Sequence, residues 1–276
     1  MALVIQTNVA SLEAQRNLFK SQSALQTSFN KLSSGLRINT AKDDAAGLAI
    51  SESLKSQVRT LAVNERNAGD AISMAQTAEG ALGEISNIVL RMRELATQSA
   101  NGSLQSSDRA FIATEFTNLQ AEVKRIMTST KFNGKQLITS ASSSEAFQVG
   151  INNTADDRIS ITFGGLNLAT AMGTSTSVSG SAGNARTALD TLDTALARVS
   201  QARSRFGAMM NRFETTISNI QSVRLNLSAA NSRIRDVDVA DEAATQSKNQ
   251  VLTQAGTSVL SQANQTPQQA LSLLKG

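Results

Sequence analysis

Leu192, Val199, Phe206, Phe213, Ile220, Leu227 and Ile234 recur at every seventh position, and nothing else in the chain restricts its fold as much. A companion stripe lies three residues ahead of each: Leu189, Leu196, Arg203, Met210, Ile217, Arg224 and Asn231. Side chains at heptad spacing share one seam of an α-helix. The segment therefore predicts a single helix roughly 65–70 Å long, with polar interruptions that fix its register.

Such a seam needs a partner, and the N-terminal half supplies one. Leu54, Leu61, Ala68, Ala75, Leu82, Val89 and Ala96 also recur at seven, with Val58 and Ile72 on the companion stripe. The small residues among them permit close helix approach. Asn101-Gly102 ends this segment, and Ser106, Ser107 and Asp108 offer capping oxygens to the next helix. That helix is amphipathic through Phe111, Ile112, Phe116, Leu119, Val123 and Ile126 and runs to about Thr130. Seams at both ends of the sequence predict a mainly α fold: long paired helices in an elongated, coiled-coil-like bundle.

Between residues 131 and 184 the pattern changes. Asn133-Gly134, Asn152-Asn153 and Gly164-Gly165 are turn signals, and Phe147-Gln-Val149 and Arg158 to Phe163 read as two short strands of a hairpin. From Leu168 to Gly183 the composition is Ser, Thr, Gly and Ala without period, which reads as a surface loop. The two ends of the chain form a separate pair. Leu18, Leu25, Phe29, Leu32 and Leu36 stripe the first segment; Leu252, Val259, Leu271 and Leu274 stripe the last. An isolated amphipathic helix of modest apolar content does not offset its ordering entropy in water. These stripes therefore need packing partners, and neighbouring molecules are natural ones.

Composition removes most other functions. The 276 residues include no His, Cys, Trp or Tyr, so no Ser-His triad, Cys nucleophile or thiolate–imidazole metal site can be built. We expect no cofactor, no catalytic residue, no metal ligand and no small-molecule substrate. The net charge of +4 is spread among acidic residues without aromatic stacking partners, which argues against nucleic acid. No apolar run approaches the ~20 residues of a membrane-spanning helix, and the N-terminus lacks the basic head and apolar run of a secretory signal. Two acidic clusters need separate readings. Asp43 and Asp44 precede a helix start and read as caps rather than as a catalytic pair. Asp236, Asp238, Asp241 and Glu242 lack the Gly and terminal Glu of a calcium loop and read as a charged hinge between helices.

Several segments together resemble the bacterial flagellin family. These are Ile5-Gln-Thr-Asn8; SQSALQTSFNKLSSGLRINTAKDDAAGLAIS from Ser21 to Ser51; RMRELATQSANG from Arg91 to Gly102; NSRIRDVDVADEAA from Asn231 to Ala244; and QVLTQAGTSVLSQANQTPQQALSLL from Gln250 to Leu274. The resemblance covers nearly everything outside the hairpin and its loop. It implies a structural subunit that self-assembles into the filament used as a helical propeller, extracellular and exported without a cleaved signal peptide. By analogy, residues 1–43 and 236–276 are the two halves of an inner-tube helical domain. Residues 44–130 and 185–235 supply the helices of an outer-tube domain, and 131–184 replace any large outer domain. Leu18, Leu25, Phe29, Leu32, Leu36, Leu252, Val259, Leu271 and Leu274 then become inter-subunit packing residues, and Leu192 to Ile234 an intrasubunit core.

The resemblance further implies hook-associated junction and cap proteins and an export chaperone on the C-terminal segment as partners. The motif that relatives present to the Toll-like flagellin receptor stands intact at Arg91, Glu94, Leu95 and Glu115, a candidate contact for receptor and neighbouring subunit alike. Thr97 and Arg109 depart from the commoner family residues. The alternatives weighed are a hook–filament junction protein, a secreted helical adhesin and a Ser-dependent hydrolase; the missing bases oppose the last.

Overall fold

The computed structural model describes residues 7–168, 173 and 176–275, with backbone alone over 266–275. Five helices carry the fold: α1 (Val9–Ser34), α2 (Ala45–Ser99), α3 (Ser106–Ser129), α4 (Ala182–Arg235) and α5 (Val239–Lys275). Between α3 and α4 lie β1 (Lys131–Phe132), β2 (Lys135–Gln136), β3 (Ser142–Gln148) and β4 (Arg158–Gly164). The expected class, mainly α with a small β-hairpin region, is what the structure shows. The chain divides into two compact units, residues 1–58 with 226–276, and residues 59–225.

Residues 59–225 have a continuous core. Leu61, Ala68, Ala75, Leu82, Val89 and Ala96 of α2 are buried, as are Leu192, Val199, Phe206, Phe213 and Ile220 of α4. The two stripes run antiparallel, as three ion pairs show. Arg93 Nε meets Asp193 at 2.5 Å, Arg203 meets Glu79 at 2.7 Å and Arg224 meets Glu65 at 2.6 Å. The arginines that interrupt the companion stripe thus pair across the seam. Their exposure to solvent makes each worth little energy but useful for register. α3 adds Phe116 and Val123 to this core.

The β segments are clamped onto it. Asn133 and Gly134 both have positive φ, 46° and 79°, the geometry of a two-residue hairpin turn, and β1 pairs antiparallel with β2 across them. β3 and β4 pair antiparallel from Ser142↔Gly164 to Gln148↔Arg158. Along β4 the side chains alternate, with Ile159, Ile161 and Phe163 buried and Ser160 and Thr162 exposed. Two ring contacts join hairpin to helix: Phe147 meets Phe213 edge-on at 5.9 Å, and Phe163 meets Phe206 at 5.5 Å. Buried Asn64 and half-buried Asn67 of α2 donate to the carbonyls of Gly150 and Gln148 at 2.8 and 3.1 Å, which satisfies polar groups that a hairpin edge leaves open.

Four local expectations change. β3 begins at Ser142, well before Phe147, because pairing with β4 orders a serine run that has no strand propensity of its own. At its described residues, the stretch from Leu168 to Gly183 is more than a surface loop. Leu168 and Val178 are buried, Ser99 Oγ donates to the Val178 carbonyl at 2.5 Å, and Gln120 Nε2 donates to that of Thr176 at 3.1 Å. Ser106 and Ser107 fall inside α3, whose start is closed by Asp108 accepting the Gln105 N–H at 3.0 Å. Phe111, placed by its period on the apolar face of α3, is 79% exposed.

The other unit is built differently. Asn8 caps α1 by accepting the Ser11 N–H at 3.1 Å, and Gly35, at φ 71°, ends it in a left-handed turn. α1 and α5 pair antiparallel. Asn8 Nδ2 donates to the Ala263 carbonyl at 2.8 Å, Ser11 Oγ to Asn264 Oδ1 at 2.7 Å, and Lys31 reaches Glu242 at 3.9 Å. Gly256 lets Leu18 approach: a Cβ there would lie 3.2 Å from Leu18 Cδ1. The connection after α1 is strapped to the end of α4. The Arg37 N–H donates to the Arg235 carbonyl and the Val237 N–H to that of Gly35, at 2.6 and 3.1 Å. Asp43 accepts from the Asn39 and Thr40 N–H groups and the Thr40 hydroxyl, and Asp44 caps α2 through the Gly47 N–H. A Cβ on Gly47, in the first turn of α2, would meet Asp44 Oδ2 at 2.4 Å and Ile38 Cδ1 at 2.7 Å, so glycine leaves room there for both side chains.

Candidate assembly surfaces

Among the described residues of the 1–58 and 226–276 unit, Ile38 is the only buried hydrophobic side chain. Of the α1 side chains only Ser11 and Ser28 are buried, while Leu18 rests half-buried against Gly256. Large apolar side chains instead face outward. Phe19 is 72% exposed, and Leu12, Phe29, Val251, Leu252 and Val259 are each at least 45% exposed. In a folded unit this inverts the usual distribution, and an outward apolar surface of this kind marks an interaction site.

The predicted packing residues fall into three sets. Phe29, Leu252 and Val259 are on this outward surface. Leu18, Leu25, Leu32 and Leu36 are half-buried, and Leu36 forms an antiparallel bridge with Asp236. The side chains of Leu271 and Leu274 lie outside the described residues. A shallow groove bounded by Gln22, Leu25, Gln26, Phe29, Gln246 and Gln250 joins α1 to α5. Phe19 and Leu12 are absent from the sequence-derived set, although their seven-residue spacing puts both on one face of α1 and could have found them.

The heptad stripe of α4 divides as well. Leu192, Val199, Phe206, Phe213 and Ile220 are buried, whereas Leu227 and Ile234 are half-buried and belong to the other unit. Next to Ile234 the chain is held by polar groups. Arg37 Nη2 donates to the Ile234 carbonyl at 2.6 Å, and Arg235 Nη1 donates to Glu52 Oε1 at 2.6 Å. That hydrogen bond, with Lys55 nearby, holds the Glu52 carboxyl below its ordinary pKa.

Arg91, Glu94 and Glu115 come together as an exposed ion cluster. Arg91 Nε and Nη2 donate to Glu115 Oε1 at 3.0 and 2.9 Å, and its Nη1 to Glu94 Oε2 at 3.0 Å. Glu115, then Glu94, raise the Arg91 pKa further above its ordinary value. Leu95 is not part of that surface. It is 3% exposed and supports the cluster from the core side. Arg109 is buried and donates from Nε to the Ser99 carbonyl and from Nη2 to that of Asn101, at 2.9 and 2.8 Å. It therefore closes the C-terminal end of α2, whose last carbonyls have no helical partner.

Among the described residues no three or more Asp or Glu side chains are grouped to bind a metal, and no helix is long and apolar enough to cross a membrane. Asp238 Oδ1 accepts the Ala240 N–H at 2.9 Å and opens α5, so the acidic run after α4 works as a cap.

A unit of two outwardly apolar helices and a second, cored helical unit in one chain match a known group of proteins. The profile of the bacterial flagellin N-terminal helical region covers residues 5–143, and that of the C-terminal helical region covers 189–274. The flagellin of Halalkalibacterium halodurans is 43% identical over 274 residues, 99% of this chain and 100% of that one. This chain belongs to the bacterial flagellin family. Flagellin FlaB2 of Treponema pallidum is 40% identical over 289 residues (99% of this chain, 100% of that one). The Bacillus subtilis flagellin is 40% identical over 302 residues (98% and 99%). Among solved structures, Bacillus cereus flagellin aligns with TM-score 0.49 at 34% identity, over 60% of this chain and 94% of that one. A hook-associated protein of Vibrio parahaemolyticus aligns with TM-score 0.60 at 13% identity, over 70% and 100%, which shows likeness of fold. As a flagellin the chain is a structural protein, a subunit that self-assembles into the extracellular flagellar filament and serves swimming motility.

Proposed function

We propose that assembly proceeds through the unit that lacks a core. Residues 1–43 and 236–276 line the inner tube of the filament, residues 44–130 and 185–235 form its outer tube, and 131–184 brace the outer helices. The observation that carries this is the pairing of α1 and α5 over serines and glycine, with Phe19, Phe29 and Val259 turned outward. Neighbouring subunits supply the missing apolar side. A heterologous contact of this kind repeats without closing and so generates a helical tube.

In this reading the chain has no enzymatic activity and leaves the cell without a cleaved signal. An export chaperone covers the C-terminal segment beforehand, and hook-associated junction and cap proteins meet the same apolar faces at the filament ends. Arg91, Glu94 and Glu115 form the exposed part of a contact used by the neighbouring subunit and by the Toll-like flagellin receptor, with Leu95 as its support. The test removes residues 1–20 or 255–276 and follows elongation from filament seeds by sedimentation and electron microscopy. Elongation is lost while circular dichroism still reports the helices of residues 59–225; filaments of normal length from either truncated chain would refute the assignment.

A further inference from the structure

The ionic groups of the cored unit are unevenly paired. On α4, Arg203 and Arg224 each meet a glutamate of α2, yet Arg205 and Arg212 have no carboxylate partner among the described residues. Together with Arg198, which donates to the Asn167 carbonyl oxygen, they recur at seven-residue spacing and are all exposed. Each stands one position before a buried residue, Val199, Phe206 or Phe213, so the three form a basic edge along the margin of the buried face. At 1.5 Å per residue that edge is about 21 Å long. Arg205 borders the cleft of Thr162, Gly164 and Leu166, and Arg212 the groove of Ile151, Asp156 and Val223.

α2 carries the opposite sign. Glu65 and Glu79 are paired to α4, whereas Asp70 and Glu84 are exposed and have no cation partner. Each lies two positions after a buried residue, Ala68 or Leu82, and so points away from the core. Their separation along the helix equals that of Arg198 and Arg212. Other charges adjoin both edges: Asp156 and Asp190 flank the basic one, and Arg66 lies one turn from Asp70.

We propose that the Arg198–Arg205–Arg212 edge of one subunit docks on the Asp70–Glu84 edge of a second copy of this chain, as a lateral contact of the filament. The occupant follows from charge complementarity at matched spacing. Two different edges on one unit also give a head-to-tail contact, which a helical polymer can repeat and a closed two-fold dimer cannot. Exposed ion pairs add little affinity singly, but like charges placed in contact are strongly unfavourable. The edges therefore fix lateral register, and a slip of one helical turn breaks the match. This rests on the homopolymer reading.

The test uses the full chain and measures the critical concentration for elongation from seeds at low and high salt. R198E/R212E and D70K/E84K, made separately, each raise it about tenfold or more at low salt, and the four-site swap returns it to within about threefold of the parent. Monomer melting temperatures confirm that each variant is folded. An unchanged critical concentration in either two-site variant overturns the contact, and so does a swap that fails to recover. A parent chain that does not elongate seeds overturns the filament reading itself, a distinguishable result.

Discussion

Arg109 shows how a single side chain can be conspicuous in the sequence for the wrong reason. Beside the receptor motif it reads as a departure from the common family residue, yet its guanidinium donates to the Ser99 and Asn101 carbonyls and ends α2. A planar fork can serve two carbonyls at once, which a lysine ammonium on a flexible stem does less well. Arg109→Met should cost about 1–3 kcal/mol of stability, because it leaves buried acceptors unpaired, and Arg109→Lys should recover only part. Urea unfolding of the monomer checks this, and an unchanged midpoint for the methionine variant would show that the carbonyls are satisfied otherwise. Leu95 teaches the converse. Its place in a recognised motif suggested a surface contact, while its spacing of three from Met92, one helical turn away on the buried side, already argued for the core. Local periodicity was the better guide there, because burial is set by helix phase rather than by motif membership.

At the level of elements, the heptad stripes of α2 and α4 were legible because a seven-residue period over many turns has one simple physical solution. What the stripes could not reveal was where the core stops. Phe213 and Leu227 occupy equivalent heptad positions, yet Phe213 is fully buried against the edge of Phe147 while Leu227 is half-buried. The difference comes from the hairpin, which covers α4 at Phe206 and Phe213 through Phe163 and Phe147. Phe213→Ala should therefore cost about 3–5 kcal/mol, the range for a buried phenylalanine, and Leu227→Ala less than half as much. Thermal unfolding of the two monomers compares them directly, and equal losses would contradict the boundary. The hairpin itself was only partly readable. β4 shows strand alternation, but β3 begins in serines, and Asn64 and Asn67, which hold the hairpin's carbonyls, look like polar faults in an apolar seam until the partner is seen. Bonds between residues more than eighty positions apart leave no local signature.

Across the whole molecule, two units of one chain follow opposite rules for placing apolar side chains. Residues 59–225 bury Leu, Ile, Val and Phe in the ordinary way; the terminal unit buries Ile38 and leaves Phe19, Phe29, Val251 and Val259 in water. Fully burying one such side chain contributes about 1.5–3 kcal/mol, and this term is available to α1 and α5 only when another surface covers them. Helical hydrogen bonds without that term are marginal, so the terminal helices should open far more often than the cored body. In hydrogen exchange of the monomer, amides in residues 9–34 and 239–265 should exchange orders of magnitude faster than those in residues 61–96 and 188–220. In the filament, protection of the terminal helices should rise to match the body, because opening then exposes apolar surface shared by several subunits. Mass spectrometry of peptides from the two states distinguishes the cases. Terminal helices already protected in the monomer would mean that α1 and α5 are stable as a pair, and that assembly draws its free energy from elsewhere on the chain.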